Sequence, residues 1–302
     1  MNYFKRISGF ALAAFLCFFL SVKIHAQYVQ DTTLLYKIDT KDGNEFYGHI
    51  LSRDSLKVEF LTEAYGPVFI RTDNIKKIEM ITADKIRQGK IWIENFQDSR
   101  YFFSPNGYGL RKKEAYYQNV WVLYNQFSVG LSKNFSIGGG IVPLFLFAGA
   151  PTPIWLIPKV SIPIVKDKFN LGAGALVGYV VGEDEAGFGI AYATGTIGSR
   201  DKNLSLGLGY GWIAGEFTDQ PLVNLCCLIR TSPKSYFMSE NYYIPTSDSY
   251  VLLFSLGGRS IIKRIGLDYG LFIPLGSEVE SFIAIPWLGI TAPLSKKQNF
   301  SF

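Results

Sequence analysis

The chain has 302 residues, 48% of them hydrophobic and 16% aromatic, with 30 Gly and a formal net charge of +5. Its mean hydropathy of +0.15 would suit membrane helices, yet beyond the N-terminal stretch no apolar run reaches about 18 residues without Gly, Pro or a charge. Three of the 30 basic residues, Lys5, Arg6 and Lys23, lie in that stretch, leaving 27 against 25 acidic ones, a balance that excludes a charge-driven nucleic-acid surface.

The chain opens MNYFKRISGFALAAFLCFFLSVKIHAQ, with Lys5 and Arg6 ahead of an apolar run from Phe10 to Val22 and a small residue, Ala26, before Gln27. This order predicts a secretory signal peptide over residues 1–26. Cys17 follows Leu16, not the small residue of a lipid-attachment site. After export only the adjacent Cys226 and Cys227 remain, too few for a disulfide framework or a thiolate metal site.

Residues 27–82 hold much of the charge and few glycines. The segment LLYKIDTKDGNEFYGHILSRDSLKVEFLTEAYGPVFIRTDNIKKIEMI reads as five short strands broken at Lys41-Asp42-Gly43, Arg53-Asp54, Tyr65-Gly66 and Asp73-Asn74, each with turn chemistry. A small, partly open barrel is predicted. The Asp42-Gly43 turn, Gly48, Gly66 and the closing Ile75 and Ile78 resemble SH3-like and Sm-like barrels over residues 33–81. The mixed charges argue for a structural or protein-contact module and against an RNA-binding one. Residues 83–97 read as a linker with one helical turn and a short strand.

From 98 to 302 the texture changes to alternation. Ile137, Ile141, Phe145 and Phe147 alternate with Ser136, Gly138 and Gly140; Leu171, Ala173, Ala175, Val177, Tyr179 and Val181 alternate with Asn170, Gly172, Gly174 and Gly178. LSLGLGYGW (204–212) does the same with Leu, Tyr and Trp against Ser and Gly. Phe188, Ile190 and Tyr192 are assigned to the apolar outer face, against Gly189, Ala191 and Ala193 within. The segments run about 10 to 14 residues, enough for a tilted strand to cross a bilayer. A soluble barrel would place Lys, Glu and Thr on its second face, not glycine.

The fold expected is therefore all-β: a transmembrane antiparallel barrel of about twelve strands, ten being the alternative count, after a small periplasmic β module. Counting DSRYFFSP (98–105) as the first strand makes NGYGLRKKEAYYQN (106–119) an external loop. Short inner turns then carry Lys or Arg (SKN, KDK, SRDKN, SPKS, IKR). Outer loops collect acids at Glu183, Asp184, Glu185, Glu216, Asp219, Asp248, Glu278 and Glu280. The glycines of 138–140, 172–178, 189–195 and 205–211 should leave one side of the lumen bare, with Trp155 among the bulkier inward residues opposite.

RYFFSPNGYGLRKKEAYYQN running into FSVGLSKNFSIGGGI, behind a signal peptide and a small β module, resembles functionally unassigned outer-membrane β-barrel proteins of Gram-negative bacteria. The resemblance covers about residues 100–294. It implies an outer-membrane location among lipid and lipopolysaccharide, with the N-terminal module in the periplasm. A final aromatic, Phe302, fits the same pattern, although Ser295 to Asn299 separate it from the last strand.

Barrel enzymes of the phospholipase, protease and lipid A deacylase types rely on imidazole as base. The chain has two histidines, His25 in the signal and His49 in the module, so such a site in the barrel is excluded. No phosphate-binding loop opens a helix, since SIGGGI lies within a strand pattern. No cofactor or metal is expected, and GEDEAG reads as a solvated acidic loop. Parity turns Lys159, Asn224, Arg230, Glu240, Arg259 and Asp268 toward the lumen, where opposite charges pair and order the interior or line a narrow pore. The function expected is a non-enzymatic barrel, structural or a narrow solute channel. The alternative is a membrane anchor whose N-terminal module binds a periplasmic protein.

Overall fold

The structure, a computed structural model, describes residues 34–62, 65–81, 86–87, 90–92, 95–184, 186–246, 249–276 and 281–294. The expected signal peptide, the expected helical turn of the linker and Phe302 lie outside the described residues. The chain forms two compact units that divide between Gln88 and Gly89.

The first unit is a five-stranded meander: β1 (Leu35–Thr40), β2 (Glu45–Arg53), β3 (Lys57–Thr62), β4 (Gly66–Arg71) and β5 (Ile75–Ile81). β1 pairs with both β2 and β5, giving the order β4-β3-β2-β1-β5. Gly43 adopts a φ of 89° at the first hairpin, a conformation costly for any side chain with a Cβ. Ile38, Val58, Phe60 and Ile70 form the buried core. A 3₁₀ turn, Thr72–Asn74, joins β4 to β5. Two short strands follow, β6 (Ile86–Arg87) and β7 (Lys90–Ile91).

The second unit is a closed antiparallel barrel of twelve strands among the described residues. They are β8 (Ala115–Val120), β9 (Tyr124–Gly130), β10 (Phe135–Ile141), β11 (Thr152–Val165), β12 (Phe169–Val181), β13 (Gly187–Ser199), β14 (Lys202–Ile213), β16 (Leu222–Ser232), β17 (Ser235–Pro245), β18 (Tyr250–Ile262), β19 (Ile265–Leu275) and β20 (Ile285–Pro293). Each pairs with its chain neighbours, and β20 closes on β8. The two-residue β15 (Glu216–Phe217) only extends the β14 hairpin. A short helix, α1 (Pro143–Phe147), sits between β10 and β11. One end of the barrel has the short turns after β9, β11, β13, β16 and β18; the other has the three-residue β8–β9 turn and the longer connections.

Twelve strands are present, as expected, but the first is AYYQNV, not DSRYFFSP. Residues 98–105 contribute only an isolated bridge between Arg100 and Pro105, and the last five residues of the supposed external loop belong to β8. The reason lies in the pattern: Tyr101, Phe102 and Phe103 are consecutive, and Ser-Pro and Asn-Gly follow at once, so no period of two is sustained.

One strand also has the opposite parity. On β13, Thr194 and Thr196 are buried while Ile197 is 66% exposed, so Phe188, Ile190 and Tyr192 point inward and Gly189, Ala191 and Ala193 outward. Packing explains the inversion. Inward Gly174 and Gly178 on β12 leave room for the Tyr192 and Phe188 rings; a Cβ at Gly178 would lie 2.3 Å from the Phe188 ring. Outside, Trp212 lies against Gly189 in the same way. The glycines of 189–195 therefore do not bare the lumen, and those of 172–178 are covered by the next strand.

Candidate functional site: a plugged lumen with an aromatic cup

Before β8 the chain enters the barrel at its short-turn end, turns back inside it and leaves by the same end. Asn95, Gln97 to Phe102, Ser104 and Asn106 are all buried. The segment folds on itself through its small polar residues. Tyr101 N–H donates to Ser104 O at 2.9 Å, and Asn106 N–H to Ser99 O at 3.2 Å. Asn106 Nδ2 reaches back to Asp98 O at 2.9 Å while its Oδ1 accepts from Tyr108 N–H at 2.9 Å. Near the rim, Asp98 pairs with Arg200 at 2.6 Å and with Arg111 at 3.3 Å.

Five of the six residues assigned to the lumen by parity hold this plug. Arg259 grips Asp268 through two bonds, 2.6 and 3.0 Å, and donates to the carbonyls of Gln97 at 2.6 Å and Tyr101 at 2.9 Å. The plug's own Arg100 reaches the same Asp268 at 3.1 Å, Thr291 Oγ1 at 2.5 Å, and the Phe102 carbonyl at 2.7 Å. Two guanidiniums thus share one carboxylate; backbone carbonyls and the Thr291 hydroxyl take up further donors, and Arg100 Nε has no partner among the described residues. Glu240, fully buried, accepts from Phe103 N–H at 3.0 Å, Ser104 N–H at 3.1 Å and Tyr242 OH at 2.5 Å. Lys159 Nζ donates to Ser99 O at 3.1 Å and Tyr108 O at 2.6 Å, and Asn224 Nδ2 donates to Ser104 Oγ.

Arg230 lies apart from this set. It pairs with Asp201 at 3.1 Å and stacks on Trp92 at 4.6 Å and Tyr236 at 5.1 Å. The mixed-charge interior is therefore a set of anchors rather than a lining of free charges. Inward glycines admit the plug: a Cβ at Gly266 would meet Gln97 at 2.1 Å, and one at Gly257 or Gly270 would meet the Phe102 ring at 3.0 Å. Phe102 packs on Phe272 and Trp287, centroids 5.5 and 5.7 Å away, within the buried cluster of Tyr101, Leu228, Tyr236, Met238 and Ile261.

The remaining lumen is a cavity of about 450 Å³, within the range of small-molecule sites. Ser99, Arg100 and Phe103 to Pro105 form its floor. Tyr116, Tyr124, Tyr192, Tyr242, Phe272 and Trp287 form its walls, with Gln118, Gln126, Ser128 and Ser136 between them. Tyr124 stacks on Trp155 at 4.6 Å, whose Nε1 donates to Gln126 Oε1 at 3.2 Å. Trp121, Leu222, Ile244 and Ile285 carry the cavity toward the long-loop end. Among the described residues no group of three or more His, Cys, Asp or Glu stands together as a metal site. The arrangement offers shape, aromatic faces and hydrogen-bonding groups.

The inward polar residues of the wall were visible by parity, whereas the plug and the cup were not. Tyr101-Phe102-Phe103 between turn residues is the signal that could have revealed the plug. No protein-family model matches the chain, and neither does any curated protein. Among solved structures the chain is similar to the outer-membrane expressed OmpT of Vibrio cholerae, at 12% identity and a TM-score of 0.34, over 86% of this chain and 94% of that one.

Proposed function

We propose that the chain is a non-enzymatic outer-membrane β-barrel, held closed by its own residues 95–114, with its N-terminal module in the periplasm. The observation that carries this reading is the inside-out distribution of side chains. Leu204, Leu206 and Leu208 are 50, 57 and 51% exposed, while Asn203 and Ser205 on the same strand are buried. Water would penalise that surface, and lipid hydrocarbon favours it. The signal-like N-terminus supplies export, and a barrel without histidine lacks the usual base. Because the lumenal charges grip the plug, a structural or ligand-holding barrel fits better than an always-open channel.

Cell fractionation tests the location. The mature protein should sediment with outer membranes, require detergent for extraction, and run faster on gels unheated than boiled. Recovery in the soluble fraction with no heat-dependent mobility would overturn the reading.

A second reading, the module as a partner-binding domain, is favoured by its exposed apolar residues. Leu56, Tyr65 and Phe69 are 78, 78 and 63% exposed. The strand order and the 3₁₀ turn before β5 also suit an SH3-like barrel. A photoreactive residue at Phe69 should crosslink one discrete protein in intact cells, and a crosslinker at Lys76 should not. Equal, diffuse labelling from both positions argues against a binding face.

A further inference from the structure

The barrel wall is low on one side. β8, β9 and β10 have 6, 7 and 7 residues, whereas β11 to β14 and β16 to β19 have 11 to 14. At a rise of about 3.3 Å per residue and a tilt near 40°, seven residues cover roughly 17 Å, short of an apolar band about 25 Å tall. Beside β11 the missing length falls mostly at the short-turn end, where β11 runs five residues past Val160, the partner of Phe135; beside β20 the gap is at the long-loop end. Val120, the last residue of β8, pairs with Tyr124 on one side and Gly289 on the other, and β20 continues four residues further to Ile285.

The rim of this notch is apolar. Val122 is 78% and Trp121 45% exposed in the turn, and Leu144, Leu146 and Phe147 of the adjoining α1 are 55, 55 and 84% exposed. Trp121 and Val122 also have φ of 51° and 66°, a conformation that a β-branched residue rarely adopts. Trp121 is thereby held across the rim, its Nε1 on Pro286 O at 2.7 Å and its ring 5.1 Å from Trp287. Both indoles line the cup.

In the walls of the cup, two buried polar groups have no hydrogen-bond partner among the described residues, the Tyr192 hydroxyl and the Trp287 indole N–H, and Arg100 Nε of the floor has none either. Tyr192 and Trp287 belong to β13 and β20, on opposite sides of the twelve-strand ring. A buried donor without an acceptor is costly and rare. The Tyr192 hydroxyl is suited to a ligand whose oxygen accepts a hydrogen bond while the rest of it fills an aromatic, largely apolar space.

We infer that the cup is a binding site for a single-chain acyl amphiphile with a carboxylate or carbonyl head, reached laterally from the bilayer over the notch at β8 and β9. Tyr192 donates to the head, and the aromatic walls, with Trp287 opposite, take the chain. The apolar rim gives a route in hydrocarbon, which a water-soluble ligand would not need. The inference rests on the membrane reading above.

The full-length protein in phosphatidylcholine vesicles is photolabelled with a diazirine fatty acid of palmitate length, and labelled peptides are mapped. Saturable labelling of Tyr116, Phe272 and Trp287, displaced by oleate, is expected over a non-saturable background on outward Leu204 to Leu208. Tyr192→Phe should raise the half-saturating concentration roughly threefold to tenfold, the loss of one hydrogen bond. L146E/F147E should slow cup labelling and leave its final extent unchanged. Labelling confined to outward residues overturns the site, and an unchanged rate in L146E/F147E overturns the lateral route. Absence of even the outward background would instead refute the membrane reading. Should a variant fail to fold, the wild-type map alone decides the site.

Discussion

Arg259 has no exposed surface, and its partners are Asp268 and two plug carbonyls. Arg259→Ala would leave Asp268 with Arg100 alone and take the guanidinium donor from the Gln97 carbonyl, while the Tyr101 carbonyl keeps Arg100 at 2.8 Å, and breaking a buried pair on one side costs about 3–5 kcal/mol. We expect the temperature at which unheated mobility is lost to fall by many degrees. R259M/D268L, which removes both charges, should recover much of the loss. In the module, Asp54 Oδ1 accepts the backbone N–H groups of Lys57 and Leu56, each at 2.7 Å, and these bonds hold its carboxyl below the usual carboxylate range. A depressed folded-state pKa means that this stabilisation is present above the unfolded value of 3.8 and is lost as pH falls through the lower folded value. Asp54→Ala should therefore speed hydrogen exchange at Leu56 and Lys57 in neutral solution, and the gap from wild type should close in strong acid.

Strands are where the sequence was most legible, and β13 shows the limit. On β14, large Leu against Ser and Gly fixes both the period and its sense, because only lipid accommodates such a face on the outside. On β13 both faces are small or apolar, so a period of two is plain while its sense is not; the neighbouring strands set it, through the rings that cover Gly174, Gly178 and Gly189. A lipid-phase thiol reagent should accordingly label Ala191→Cys and spare Ile190→Cys, the reverse of what hydrophobicity alone suggests. The plug was illegible for a related reason. Segment 95–114 follows neither a period of two nor one of 3.6, and its order comes from contacts with residues more than a hundred positions away, such as Asp268 and Glu240. β8 was missed because its Tyr-rich sequence adjoins that segment without a break.

At the scale of the whole molecule, the barrel turns apolar side chains outward and spends its polar ones on holding a piece of its own chain. Lys159, Asn224, Glu240, Arg259 and Asp268 were recognisable as inward residues; their common purpose emerges only when the plug is in place. Closure of the lumen at one end and an aromatic cup at the other are what support the proposal of a barrel that holds something rather than one through which solutes flow. Single-channel recording in a planar bilayer tests closure most directly. The wild-type protein should give no resolvable conductance steps, and a chain with residues 99–106 replaced by an equal length of Gly and Ser should give them. Steady steps from the wild type, unchanged by that replacement, would contradict a closed barrel.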